Sequence, residues 1–269
     1  MSPNPLVNAL LLVLLGVVAG AIAFVVRRFL PDRSSLDAGP YSATLSYVAT
    51  AYGVIVAFMI VFLFGAFSDA RFSVGDEATS IGTAFEELRT FGADGVPAQE
   101  ALLCYAQTAT EYDWPAMRNG ASAPEVDRAY SGIIMALGAI DAPNGTTFEP
   151  AMATNIMVQV GSISTAREAR LVTAETTVPV LMWGLLLGGG LLVLVLIFVV
   201  TLPAPGRTQS VLVGLSAVFT GALLILLLAL ANPYAEGAGR VSPELIDETA
   251  ATMSQELPSA PTTPCPPPA

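Results

Sequence analysis

The sequence predicts an all-α integral membrane protein with four transmembrane helices, the second and third of which extend into a helical extramembrane domain. Three observations carry that expectation. Four stretches, Leu6–Val26, Leu45–Phe67, Val178–Leu202 and Val211–Ala231, contain no Asp, Glu, Lys or Arg. They run from 21 to 25 residues, and crossing a hydrocarbon core of about 30 Å takes about 20 helical residues. The whole 269-residue chain is 54% hydrophobic and only 12% charged, against about 25% charged in ordinary soluble domains.

The first span follows Met1-Ser2-Pro3-Asn4-Pro5, which has no positive charge, and leads into Arg27 and Arg28. Ala21-Ile22-Ala23 resembles a signal-peptidase site, but the apolar run exceeds the roughly 7–15 residues of a signal core, so the segment reads as a retained span. Residues 1–67 thus hold the first two spans, at about 6–26 and 45–67. Residues 68–177 carry 15 acids and 6 arginines, a net of −9, and read as an acidic helical domain. Past the second span, Val74, Ala78, Ile81, Phe85 and Leu88 recur at alternating four and three residues, so that helix is expected to run on to about Thr90. Pro97 suits a first helical turn, with Leu102, Ala106, Ala109 and Ala116 behind it and Asn119-Gly120 closing the segment. Val126, Tyr130, Ile133, Leu137 and Ile140 mark a third helix, closed by a turn at 141–145. Met152, Ile156, Val160 and Ile163 mark a fourth, which continues through Arg167 and Arg170 and feeds the third span. Residues 178–231 hold the third and fourth spans, at about 178–202 and 211–231. Residues 232–269 are acidic and end in six prolines within 258–269, so they read as a disordered tail.

Composition removes several functions. The chain has no histidine and all 11 basic residues are arginine, so the commonest general base, the commonest metal ligand and the Schiff-base lysine are missing. No catalytic residue, cofactor or metal site is expected. Cys104 and Cys265 stand 161 positions apart, one on a helix and one in the proline-rich tail, and suggest neither a metal cluster nor a disulfide framework. A net charge of −11 without basic tracts excludes nucleic acid as a partner. No span holds an ionisable acid or base, which disfavours proton relays and ion-coupled pumps. The implied partners are the lipid bilayer, further copies of the chain and small inorganic ions.

Two constellations are candidates for function. Tyr52, Phe58 and Phe62 in the second span can line a pore gated by an apolar constriction, or can face lipid and neighbouring helices. Gly184 and Gly188 in the third span form a small-xxx-small pair suited to close helix packing. Outside the membrane, Arg167 and Arg170 share a helix face and can fork onto carboxylates such as Glu77, Glu111 and Asp113. Those five residues form either a salt-bridge network between long helices or a charged vestibule. Orientation is tied: Arg27, Arg28, Arg33 and Arg207 favour cytoplasmic short loops, whereas Arg71, Arg167, Arg170 and Arg240 favour the opposite.

The order Tyr52-Gly53, Asp76-Glu77-Ala78, Tyr105, Glu111, Trp114-Pro115, Arg167, Arg170-Leu171, Pro179, Trp183 and Asn232-Pro233-Tyr234 resembles the bestrophin-like four-span membrane proteins, a family of largely unassigned function. Two pieces depart from the pattern. Asp113 directly precedes Trp114-Pro115 with Glu111 displaced, and Asn232 stands where an aspartate is expected. The resemblance implies a four-span subunit with long second and third helices, in a family whose namesakes are pentameric ion channels with the second helix of each subunit lining the pore. It also implies a cytoplasmic central domain. The pore-neck motif of those channels is not found, so no pore residue is carried over. The expected function is therefore a homo-oligomeric, multi-pass ion channel or channel-like protein of the cell membrane, the alternative being a non-conducting scaffold or sensor whose helical domain binds a partner.

Overall fold

The computed structural model describes residues 4–30, 39–140, 148–175, 178–236, 240–257 and 265. It is built from nine α-helices among the described residues: α1 Pro5–Phe29, α2 Gly39–Leu88, α3 Val96–Thr108, α4 Trp114–Met117, α5 Pro124–Gly138, α6 Phe148–Glu175, α7 Val180–Val200, α8 Gly206–Ala231 and α9 Glu244–Glu256. Four of these helices are long and apolar enough to cross a membrane; α1, α2 and α8 contain the first, second and fourth charge-free stretches, and α7 takes up all but the ends of the third. The chain divides into two compact units, residues 1–65 with 177–240 and residues 66–176 with 241–269.

The first unit contains α1, the first part of α2, α7 and α8. Here α1 and α8 approach closely because glycine removes the side chains between them. A Cβ on Gly20 would lie 2.9 Å from the Ser210 carbonyl oxygen, and one on Gly214 would lie 2.8 Å from that of Gly16. At the end of α1, the Arg27 guanidinium donates to the Ala204 carbonyl at 2.6 Å and to Gln209 Oε1 at 2.7 Å. A second contact joins α2, α7 and α8 through Val56, Met59, Leu63, Leu186 and Leu227. The glycines of α7 that matter for packing inside the chain differ from the expected pair: Gly184 and Gly188 have nothing within 4 Å of a built Cβ, whereas Gly189 and Gly190 receive the Tyr52 ring.

The second unit is a helical bundle of the rest of α2 with α3, α4, α5, α6 and α9. Val74, Ala78, Ile81, Phe85 and Leu88 are all buried, so the heptad-like stripe beyond the second span is the face that α2 gives to this core. Leu102, Leu103, Val126, Ile133, Ile156, Val160 and Ile163 complete it from α3, α5 and α6. After α4 the chain turns at Gly120, whose φ of 67° suits a residue without a Cβ. Between α3 and α4, residues Ala109–Asp113 form a π-helical turn. Asp113, at the end of that turn, is buried, and Glu111, two positions earlier and on the opposite face, is exposed.

Three expectations are corrected. The passage from the fourth helix of the domain into the third span is not one unbroken helix: α6 ends at Glu175, and α7 starts at Val180 with Pro179 at its N-cap. Proline lacks the N–H that would continue a helix and forces its predecessor toward extended backbone. The region 232–269 is not disordered throughout, because α9 folds over Glu244–Glu256 and buries Ile246, Ala250 and Met253. The prolines at 258, 261, 264, 266, 267 and 268 lie outside the described residues, as does the turn at 141–145. Finally, Cys104 and Cys265 are joined in a disulfide, with Cα atoms 5.3 Å apart. Their separation of 161 positions hides a juxtaposition that only the docking of α9 near α3 creates.

Candidate functional site

The second unit is held by a buried cluster of carboxylates and guanidinium groups. Glu77 projects from the core face of α2 and is fully buried. Arg170, three residues after Arg167 on α6, meets it as a fork: Nε donates to Glu77 Oε2 at 2.9 Å and Nη2 to Glu77 Oε1 at 3.0 Å. The same Nη2 reaches Asp113 Oδ2 at 3.3 Å, and the Arg170 guanidinium lies over the Trp114 ring at 4.3 Å. Arg167 is bidentate to Asp113, at 2.7 Å from Nε and 3.1 Å from Nη2, and donates from Nη1 to Asp127 at 2.6 Å. Asp113 Oδ1 also accepts from the Ala123 backbone N–H at 3.1 Å. Tyr105 donates its hydroxyl to Glu77 Oε1 at 2.7 Å, and its ring meets Tyr130 edge-on at 6.0 Å between centroids. Trp114 Nε1 donates to the Val241 carbonyl at 3.2 Å.

These contacts tie α2, α3, the π-turn, α5 and α6 to one another. Burial disfavours the charged form of Arg170, but the carboxylates of Glu77 and Asp113 and the Tyr105 hydroxyl hold its pKa above the ordinary guanidinium value. Arg167 is held up in the same way against burial by Asp113 and Asp127. Burial first, and then the Glu77 carboxylate, push the Tyr105 hydroxyl well above the ordinary tyrosine value. Both arginines are therefore permanently charged and engaged with carboxylates; their side chains are 11% and 0% exposed, which leaves little guanidinium surface for a mobile anion. Of the five residues singled out here by sequence, Glu77, Asp113, Arg167 and Arg170 come together, and Glu111 stands exposed on the π-turn. Asp127 is not among the residues singled out by sequence, and Tyr105 stands there only in the motif order, with no role in this cluster; their partners lie 40 and 28 positions away.

The aromatic residues of α2 separate. Tyr52 packs against Gly189 and Gly190 inside the first unit, whereas Phe58 and Phe62 are 73% and 65% exposed. Helical geometry explains this, because positions 52 and 58 fall about 120° apart around the axis. Val54, Phe58, Val61 and Gly65 share an exposed face within the first unit. Within the second unit the exposed residues of α2 are Asp69, Arg71, Phe72, Asp76, Thr79 and Glu86, and Asp69, Phe72, Asp76 and Thr79 again recur at spacings of three and four. There a groove of about 580 Å³ between α2 and α6 is lined by Asp69, Asp76, Thr79, Ser80, Ser162 and Thr165 among others. Among the described residues no group of three Cys, Asp or Glu is placed to hold a metal ion.

The profile of the Bestrophin-like domain matches residues 12–246. The chain belongs to the Bestrophin-like family. Its Bestrophin-like fold is similar to that of a variant bacterial bestrophin homologue from Klebsiella pneumoniae, with a TM-score of 0.73 at 13% identity, covering 95% of this chain and 98% of that one. A second solved structure, described as a variant membrane protein, gives a TM-score of 0.74 at 13% identity over 94% of this chain and 99% of that one. No curated protein matches the chain. In this Bestrophin-like chain the short motifs that carried the resemblance gather in space within each unit: Glu77, Tyr105, Asp113-Trp114, Arg167 and Arg170 in the second, and Tyr52 with Trp183 at the apolar contact of the first.

Proposed function

We propose that several copies of this chain assemble in the cell membrane around α2 and form a passive ion channel. Membership of the Bestrophin-like family supports the channel class. The observation that carries the reading is the exposed face of α2, apolar at Val54, Phe58, Val61 and Gly65 and then acidic and hydroxyl-bearing at Asp69, Asp76 and Thr79. In an oligomer built around this helix, the first set forms an apolar constriction and the second a ring of carboxylates. Tyr52 is excluded from that lining because it packs inside the subunit, while Phe58 and Phe62 remain. The vestibule of Arg167 and Arg170 is also excluded, since both are spent on Glu77, Asp113 and Asp127. The exposed charges of α2 beyond Gly65 are Asp69, Asp76 and Glu86 against Arg71, and this acidic excess favours cations over anions. No span carries an ionisable side chain to couple transport to protons.

The test combines particle size with electrical recording. The detergent-solubilised protein is expected as a multimer, and reconstituted bilayers under a KCl gradient are expected to show a reversal potential displaced toward that of K⁺. A strictly monomeric particle overturns the assembly, and a reversal potential displaced toward that of Cl⁻ overturns the cation preference while leaving the channel class standing.

A further inference from the structure

We propose that Cys104 and Cys265 form a reversible thiol–disulfide switch that tethers the C-terminal segment to α3 and thereby holds α9 in place. They are the two cysteines of the chain, and the fold brings their Cα atoms to 5.3 Å and joins their sulfur atoms. Such a separation is within the range that a disulfide spans.

Three features make this bond a control element and not a structural staple. The second unit has a packed core of α2, α3, α5 and α6 that owes nothing to the bond, since Ile81, Leu102, Ile133 and Ile163 are fully buried by other side chains. Both cysteines are half-buried and not sealed, so a small thiol reaches them. Cys265 also lies eight positions beyond Leu257, the last buried residue of the α9 segment, so opening the bond dismantles no helix directly.

What the bond does restrain is α9. This helix has 13 residues and buries Ile246, Ala250 and Met253 on one side; a helix that short depends on its packing. At its start, Trp114 holds the Val241 carbonyl. Along its length, Leu245 and Thr249 lie beside the glycines of α2, at 3.9 Å from a Cβ built on Gly75 and 3.6 Å from one on Gly82, so this side of α9 meets α2 where α2 has no side chain. At its end, Glu256 meets Arg89 at 3.0 Å, but the two side chains are 36% and 57% exposed, and an exposed pair contributes little. The disulfide is therefore the one covalent restraint on the C-terminal side of α9. With it closed, the chain that follows α9 is tied covalently to α3; with it open, that restraint is gone and α9 opens locally at lower cost.

The chemistry is thiol–disulfide exchange with a low-molecular-weight disulfide. One cysteine thiolate attacks that disulfide and releases one small thiolate. The second cysteine thiolate then attacks the mixed disulfide at the protein sulfur, forming the Cys104–Cys265 bond and releasing the second small thiolate. The two protons lost by the cysteines end on the two small thiols, and two electrons pass from the protein to the small disulfide. Reduction by a small dithiol runs the same steps backward.

The test uses the full chain in detergent or nanodiscs, treated with oxidised glutathione or with dithiothreitol. Mass spectrometry of peptides is expected to find a Cys104–Cys265 cross-link after oxidation that disappears under dithiothreitol without denaturant, with the far-ultraviolet circular dichroism unchanged. Hydrogen exchange of the peptides covering 244–256 is expected to quicken by about tenfold or more on reduction. Cys104→Ser and Cys265→Ser should each show the fast exchange in both conditions. The proposal is overturned if oxidation gives no cross-link or one between subunits, if the bond resists dithiothreitol in the folded protein, or if α9 exchanges at the same rate in both states.

Discussion

Asp76 and Glu77 are neighbours in sequence with opposite fates, and the helix period decides them. Glu77 falls on the core face of α2 and is fully buried between Arg170 and Tyr105, while Asp76, one position earlier, is exposed. Removing one partner of a buried ion pair strands the other, at a cost of about 3–5 kcal/mol. Arg170→Leu is therefore expected to lower the thermal or denaturant stability of the solubilised protein by about that amount, leaving Glu77 with the Tyr105 hydroxyl alone from its pair of partners. Glu111→Gln, on the exposed side of the π-turn, should stay within about 0.5 kcal/mol. Tyr105 gives a pH test. Its hydroxyl titrates in the fold well above the ordinary value, so above about pH 10 the unfolded chain loses that proton while the folded chain keeps it. Stability is then fully present below about pH 10 and falls as pH rises toward the folded pKa. Thermal melts from pH 8 to 11 should show that fall, and Tyr105→Phe should flatten it at the cost of a lower stability at pH 8, since the bond to Glu77 is lost. The pairing of Arg167 and Arg170 on one face was legible from their spacing of three. Their choice of Glu77 and Asp113, 93 and 54 positions away, was not, because local periodicity carries no information about which helices meet.

At the scale of elements, the spans were legible because missing charge is a property of each segment alone. The stripe of Val74, Ala78, Ile81, Phe85 and Leu88 was legible for the same reason. Elements set by a neighbour were less so. Ile246, Ala250, Met253 and Leu257 have helical spacing, but the proline-rich stretch beside them dominated the composition, and their partner surface exists only in the fold. The π-turn at 109–113 reads as ordinary helix in sequence, and its wider turn shows only in the backbone of the fold. In α7, several glycines look alike in sequence, and packing separates them. A Cβ on Gly190 would stand 2.9 Å from the Tyr52 hydroxyl and 3.1 Å from Thr220 Cγ2, whereas one on Gly188 meets nothing within 4 Å. Gly190→Ala should therefore destabilise the solubilised protein by about 1–3 kcal/mol through overpacking. Gly188→Ala should leave it unchanged or slightly more stable, since alanine is the better helix former. Equal melting temperatures for the two variants would show that Tyr52 is not seated against that glycine.

For the whole molecule, the net charge of −11 acquires meaning from where the two signs reside. Arg167 and Arg170 are consumed by buried carboxylates and Arg89 and Arg128 by more open ones, whereas Arg71 stands exposed on α2 between Asp69 and Asp76. Asp69 and Asp76 remain exposed on α2 and line the groove beside α6. If α2 surrounds the conduction path, each subunit repeats these two carboxylates around it, and their summed field sets which ion enters. Neutralising both as Asp69→Asn with Asp76→Asn is then expected to move the reversal potential under a KCl gradient toward zero without altering particle size. Asp94→Asn, an exposed acid in the turn after α2, should leave it unchanged. Salt supplies an internal check, because the screening length shrinks from about 10 Å at 0.1 M to about 3 Å at 1 M. The selectivity lost in the double variant should therefore be largest in dilute salt and should fade in concentrated salt. A double variant indistinguishable from the parent at 0.1 M would remove α2 carboxylates from the ion path, whatever the current itself showed.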